Sequence, residues 1–204
     1  MKALLVVDAQ NEFSPDGKRA VSDHEKVVAA IGAHVQEART AHVPIAWIQH
    51  HNRPTESPAF VPGSWGAQLS PGFGPRAGIL SERLFQKDVY GAFTGTDIES
   101  WLRSHGVTEV LVMGFFTHMC VSTTAREALV RGFDVVVDHA ATGTRAIMSE
   151  LLGAQSADDV RRTALLQLAD MGVTIRRAGV RLADGEGLAP IVVLPEHEVR
   201  DQVA

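Results

Sequence analysis

Residues 109–132 read EVLVMGFFTHMCVSTTAREALVRG, and this stretch decides the fold class. Glu109 to Met113 reads as a strand, apolar from Val110 onward and broken by Gly114. A turn follows through Phe115, Phe116, Thr117, His118 and Met119. A helix is predicted from near Cys120 to Arg131, with Gly132 as its stop, because glycine readily takes the left-handed conformation that ends helices. Strand, turn and helix in one short segment make a βα unit, and the unit recurs on both sides.

Toward the C-terminus, Phe133 to Val137 reads as the next strand. Ser156 caps a helix with Val160, Ala164, Leu168 and Met171 on one face, and Val173 to Arg176 is the last strand. Toward the N-terminus, Thr96 and Glu99 form a capping box for a helix ending near Gly106, and Leu84 to Gln86 is a short strand. Pro44 to Gln49 is a buried strand, followed by a Pro- and Gly-rich loop from Asn52 to Gly78. A loop of that length inside a compact domain is usually functional. Ser22 and Glu25 form a further capping box, for a helix presenting Val27, Val28, Ile31, Val35 and Ala38. Ala3 to Val7 is a buried strand ending at Asp8. The alternation specifies an α/β fold: a doubly wound, mostly parallel β-sheet flanked by helices, Rossmann-like in plan. Residues 1–178 read as one domain. Residues 179–204 read as a C-terminal extension, whose strand-like segment Ala189 to Pro195 suits an oligomerisation arm.

Composition narrows the function. The chain has 204 residues, 45% hydrophobic and 21% charged, which suits a globular domain and excludes global disorder. A net charge of −5 leaves no basic footprint for nucleic acid. One cysteine, Cys120, excludes a disulfide scaffold and any zinc site with several cysteine ligands. No apolar run reaches the roughly 20 residues of a membrane span. The N-terminus meets an acid at Asp8, too soon for a signal peptide. These features predict a cytoplasmic protein with no membrane partner.

Open α/β sheets bind ligands beyond the carboxyl ends of their strands. Asp8, Lys87 and Cys120 all fall at such ends. Each alone has an ordinary reading: a turn former, a solvated surface charge, a small buried apolar group. Their joint placement is what draws attention.

Three motifs sharpen the reading. Val7-Asp8-Ala9-Gln10-Asn11-Glu12-Phe13 is similar to a D-x-Q-x-x-F first-strand motif, and Lys87-Asp88-Val89-Tyr90-Gly91-Ala92-Phe93 to a K-x-x-Y-x-x-F segment. Gly114-Phe115-Phe116-Thr117-His118-Met119-Cys120-Val121 is similar to G-x-x-T-x-x-C-V, continued by Thr124-Ala125. In this order and at these separations they resemble the isochorismatase-like cysteine hydrolases, which include nicotinamidases, N-carbamoylsarcosine amidases and ureidoacrylate amidases. The resemblance runs from about Leu4 to Arg176.

The resemblance implies a catalytic triad of Asp8, Lys87 and Cys120, with the backbone N–H groups of Phe116 and Cys120 as oxyanion hole. It also implies a cis peptide bond before Phe116. A free thiol titrates near 8.5, so it needs activation; a helix start and a lysine ammonium favour the thiolate, and Asp8 can carry the proton. The expected chemistry is attack by Cys120 on a small amide, carbamoyl or ureido carbonyl, release of ammonia or an amine, and hydrolysis of the thioester. Alternatives are an isochorismatase-type enol-ether hydrolase and a non-catalytic oligomeric scaffold. Relatives are commonly oligomeric, so a homo-oligomer, dimer or tetramer, is expected.

Nicotinamidases of the family bind a metal through an Asp and a His two residues apart, with a further His downstream. Gln49 and His51 stand at the paired positions, and no histidine occurs between His51 and His105. No metal and no other cofactor are therefore expected. Candidate substrate-binding residues are Phe13, His50, Trp65, Tyr90, Phe93, Phe116 and His118; Trp47 is expected in the core, with Trp65 the better pocket candidate. Two departures from the family pattern concern the substrate: His139 to Thr144 replaces an acidic segment, and Val160 stands where relatives often carry a histidine.

Overall fold

The computed structural model describes residues 1–53 and 55–176. The extension from residue 179 onward, with its Ala189 to Pro195 segment, lies outside them. Among the described residues, eight strands and four α-helices follow in chain order: β1 (Lys2–Val7), α1 (His24–Thr40), β2 (Ile45–His50), β3 (Glu82–Lys87), α2 (Ile98–Ser104), β4 (Glu109–Phe115), α3 (Ser122–Val130), β5 (Asp134–Gly143), β6 (Ile147–Ser149), β7 (Gly153–Gln155), α4 (Ala157–Asp170) and β8 (Thr174–Arg176). Six strands form one sheet in the order β3-β2-β1-β4-β5-β8, every pair parallel. The doubly wound architecture expected from the alternation is present.

Side chains leave a strand on alternate faces, and β1 supplies both cores. Leu4 and Val6 pack with Val27, Ile31 and Val35 of α1 on one face. Leu5 and Val7 pack with Ile98 and Leu102 of α2, Ala125 of α3 and Leu168 of α4 on the other. Trp47 is fully buried on the α1 side, as its strand position predicts. The chain winds outward from β1 to β3, then returns to build β4, β5 and β8. The topological switch point is therefore between β1 and β4, where such sheets open a crevice.

Several local expectations need correction. The Ser22–Glu25 capping box is absent: α1 starts at His24 behind Asp23, which makes no side-chain cap. Asp23 instead pairs with Arg161 of α4 at 2.7 Å, a tertiary contact that competes for the carboxylate. The Thr96–Glu99 box is also absent. The Thr96 hydroxyl accepts from Ile98 N–H at 3.3 Å, and Glu99 is drawn to Arg131 at 3.2 Å. Ser156 does cap α4, accepting from Asp159 N–H at 3.1 Å. Met171 lies just past that helix and is exposed rather than part of its apolar face. Residues 147–155 form a β6–β7 hairpin too short to be read from alternation.

Gly114 does not end β4. It takes φ +124°, and a Cβ there would stand 1.8 Å from the Val7 carbonyl oxygen, so only glycine lets β4 run on to Phe115. β5 likewise continues past Val137. Its register with β4 jumps from Val112–Val137 to Gly114–Thr142, a bulge braced by the Asp138 carboxylate accepting from Ala140 N–H at 2.8 Å.

Candidate active site

The three motif residues meet at the carboxyl end of the sheet. Asp8 leaves β1 with φ +53°, a left-handed backbone that Asp tolerates better than most residues. Lys87 ends β3, two strands away, and its long side chain reaches across β2. Its Nζ donates to Asp8 Oδ2 at 2.8 Å and to the Val89 carbonyl at 3.1 Å. Both side chains of this ion pair are buried. Cys120 lies in a π-helical turn, Thr117–Val121, rather than in α3 itself, which starts at Ser122. Its thiol lines the same cavity as Asp8 and interacts electrostatically with both Asp8 and Lys87.

The electrostatics correct the expected resting state. Asp8 and Lys87 already pair with one another, so a thiolate would add an uncompensated charge to a buried site. Burial pushes the Cys120 thiol well above its ordinary value, the Asp8 carboxylate adds to that, and the Lys87 ammonium opposes without prevailing. Burial also disfavours the Lys87 ammonium, but Asp8 and Cys120 outweigh it and raise Lys87 overall. In the resting site the thiol therefore holds its proton more strongly than a free cysteine, beside the Asp8–Lys87 ion pair. Asp8 Oδ1 is buried and accepts no hydrogen bond, so one carboxylate oxygen is free to take a proton.

A cavity of about 250 Å³ opens on this group, lined by Asp8, Cys120, Phe13, His50, Phe60, Phe116, Met119 and Tyr90, with Arg19, Arg145, Asn52, Glu56 and Ser57 around it. The Phe115–Phe116 peptide on its wall is cis, as the motif implies. Phe116 C=O accepts from the N–H groups of Met119 and Val121, at 3.0 and 3.2 Å, which closes the turn carrying Cys120. A wider groove, about 820 Å³, lies between the N-termini of α1 and α4 against His24, His139 and Arg161; Asp8, Lys87 and Cys120 do not line it.

Residues 2–178 match the isochorismatase domain. The chain belongs to the isochorismatase family. A secreted isochorismatase effector of Verticillium dahliae is 31% identical over 172 residues, covering 84% of this chain and 85% of its own. A nicotinamidase/pyrazinamidase of Mycobacterium tuberculosis is 31% identical over 178 residues, covering 74% of this chain and 94% of its own. A cysteine hydrolase of Pseudomonas syringae has a TM-score of 0.78 at 25% identity, covering 85% of this chain and 87% of its own.

Not every residue proposed for the isochorismatase-family pocket reaches it. Phe13 does, stacked on Phe115 at 5.0 Å and edge-on to Phe116 at 4.8 Å. His50 does as well. Lys87 can only donate, so His50 Nδ1, 3.3 Å away, accepts; Nε2 then carries the hydrogen and donates to Asn52 Oδ1 at 2.8 Å. Tyr90 lines the mouth and is half exposed. Trp65 must be corrected: its side chain is 51% exposed and outside the cavity lining, and its carbonyl accepts from Asn11 Nδ2 at 3.0 Å. Phe93 is buried in the core against Phe133, at 5.9 Å between ring centroids, and is absent from the lining. His118 stands behind the wall, Nδ1 2.6 Å from Thr144 Oγ1, with its ring 5.5 Å from that of Phe116. Burial, then the charge of Arg145, lower its pKa, so it is neutral.

Sequence reading missed the clamp behind Asp8. Gln10 Oε1 accepts from His50 N–H at 2.8 Å, and Gln10 Nε2 donates to the carbonyls of His50 and Ala67 at 2.9 and 2.7 Å. Glu12 accepts from Lys18 N–H and Phe60 N–H at 2.7 and 3.1 Å. The first-strand motif thus fastens the long loop that walls the cavity. Its polar residues, Gln10 and Glu12, were the available signal.

The nicotinamidase-type metal does not fit the residues at the paired positions. Gln49 supplies no carboxylate, and both ends of its amide are engaged: Nε2 donates to Ala67 C=O at 2.8 Å, and Oε1 accepts from Gln86 at 3.2 Å. Among the described residues, no three His, Cys, Asp or Glu side chains are grouped to hold a metal ion. Dialysis against a strong chelator is expected to leave activity unchanged, and loss of activity together with stoichiometric bound metal would overturn this.

Proposed function

We propose that this protein is a cysteine hydrolase of C–N bonds in small amide, carbamoyl or ureido compounds. The observation that carries the reading is the buried Asp8–Lys87 pair, with a free Asp8 oxygen, beside the Cys120 thiol. The amide-hydrolysing name of the Mycobacterium tuberculosis relative supports it.

In the proposed reaction the Cys120 sulfur attacks the carbonyl carbon as its proton passes to Asp8. The developing oxyanion is held by the Phe116 and Cys120 backbone N–H groups. The C–N bond then breaks, and Asp8 returns the proton to the leaving nitrogen. Water attacks the thioester, gives a proton to Asp8 and releases the acid; Asp8 reprotonates the thiolate. Lys87 remains charged throughout and holds Asp8 in position. A chemistry that depends on one thiol suits a reducing compartment such as the cytoplasm.

The cavity favours a substrate that carries a carboxylate. Arg19 and Arg145 both line it, and neither has a carboxylate partner among the described residues. Arg19 donates to Ser57 Oγ at 3.2 Å, and the Arg145 guanidinium stands 5.7 Å from the Phe116 ring centroid. Glu56, the acid at the rim, accepts from Arg53 N–H. An ammonia-release screen should therefore favour carbamoyl amino acids and ureido acids over neutral amides. Arg145→Gln and Arg19→Gln should each raise KM for such acids by about 10- to 100-fold, the worth of a hydrogen bond to a charged group, and leave neutral amides nearly unaffected. Equal loss on acids and neutral amides would assign the arginines to structure.

A further inference from the structure

We propose that Glu127 of α3 is a positioning residue that sets the distance between Lys87 and Cys120, an inference that rests on the proposed roles of those two residues. Lys87 is held from behind by the Val89 carbonyl, at 3.1 Å. The segment that follows Val89 belongs to neither the sheet nor a helix, so its own backbone cannot fix it. It is tied to α3 instead. Ala92 N–H donates to Thr124 Oγ1 at 3.1 Å, Phe93 N–H donates to Glu127 Oε2 at 2.8 Å, and the Thr94 hydroxyl donates to Glu127 Oε1.

Gly91 completes the fit. A Cβ there would stand 2.2 Å from the Glu127 carboxylate, so a side chain at residue 91 would displace that carboxylate from its place against the loop. The Arg131 guanidinium on the far side lies 5.1 Å from the Phe93 ring centroid, and Arg131 donates to the Glu127 carbonyl at 2.9 Å.

The contacts form a closed loop through the catalytic group. Cys120 leads into α3; α3 presents Thr124 and Glu127; these hold residues 92–94; the same loop carries Val89, whose carbonyl holds Lys87; and Lys87 pairs with Asp8, which shares the cavity with Cys120. A shift of the loop along α3 would carry the ammonium away from the sulfur. The thiolate formed during attack would then lose its nearest cation. Displacements of about 1 Å remote from the chemistry can cost about 10²-fold in rate.

The test compares Glu127→Ala, Glu127→Gln and Gly91→Ala with the wild-type enzyme. The glutamine retains an acceptor for Phe93 N–H and can donate to the Thr94 hydroxyl, so it keeps the geometry and loses only the charge. Glu127→Ala and Gly91→Ala should lower kcat by about 10- to 100-fold with KM within about twofold. Both should also slow iodoacetamide alkylation of Cys120 at fixed pH by about 3- to 10-fold, since less thiolate forms. Glu127→Gln should restore both quantities to near wild type. Alkylation needs no substrate, so this result stands apart from the choice of substrate: a wild-type enzyme that hydrolyses no amide would sink the proposed function and leave the alkylation result to judge Glu127. Wild-type kcat and alkylation in a folded Glu127→Ala, or a glutamine variant as impaired as the alanine, overturns the positioning role. If Glu127→Ala does not fold, Gly91→Ala carries the same decision.

Discussion

Asp8→Asn is expected to lower kcat by about 10² to 10⁴, the usual contribution of a positioned acid–base group, with little change in substrate binding. The same variant should make Cys120 easier to alkylate at fixed pH. The sign follows from the site. The Asp8 charge helps to raise the thiol pKa and Lys87 lowers it, so removing the carboxylate leaves the ammonium to favour thiolate. A more reactive cysteine in a slower enzyme separates proton transfer from thiolate formation. Lys87→Met should behave oppositely. It leaves the thiol and the carboxylate together in a buried site without a cation, so alkylation slows and activity falls at neutral pH. Activity should return in part as pH rises and the thiolate forms unaided. Asp8→Asn should show no such recovery, because the leaving nitrogen still lacks its proton donor. Paired pH–rate and pH–alkylation profiles decide the matter. Recovery of Asp8→Asn at high pH, with a flat Lys87→Met profile, would reverse the two roles.

Cys120→Ala should abolish ammonia release, a loss of about 10⁴- to 10⁶-fold by comparison with removal of other enzymatic nucleophiles. The fold should survive, because only one buried heavy atom is lost, at a cost of about 1 kcal/mol. A thioester should be trappable in the wild-type enzyme by acid quench and mass spectrometry, and absent in the variant. The measurement also separates the competing chemistries. Hydrolysis of an enol ether needs no nucleophilic sulfur, so turnover of such a substrate by Cys120→Ala at the wild-type rate would favour that reading. A protein inert to every amide, carbamoyl and ureido compound, with or without Cys120, would instead fit the scaffold.

Much of the architecture is local and was therefore legible. The apolar runs at Ala3–Val7 and Val110–Met113 are buried strands because no polar residue interrupts them, and the Ser156 cap needs only its own turn. The Thr96–Glu99 cap failed for lack of locality: Glu99 took a partner on another element, Arg131. Strand ends were misjudged for a related reason. Whether β4 can pass Gly114 depends on the Val7 carbonyl of the neighbouring strand, which no property of residue 114 alone reveals.

By itself the sequence determined the alternating α/β plan and, through it, that Asp8, Lys87 and Cys120 lie at or just beyond the carboxyl ends of strands. Tertiary structure decided everything that depends on residues far apart in the chain meeting in space. It brought Arg19 and Arg145 to one cavity, turned Trp65 outward, sank Phe93 into the core and closed the Glu127 clamp. It also decided the charge state of the thiol. A cysteine near a helix start beside a lysine reads as a thiolate along the chain. Once Asp8 has paired with that lysine in a buried site, the same cysteine holds its proton more strongly than a free thiol.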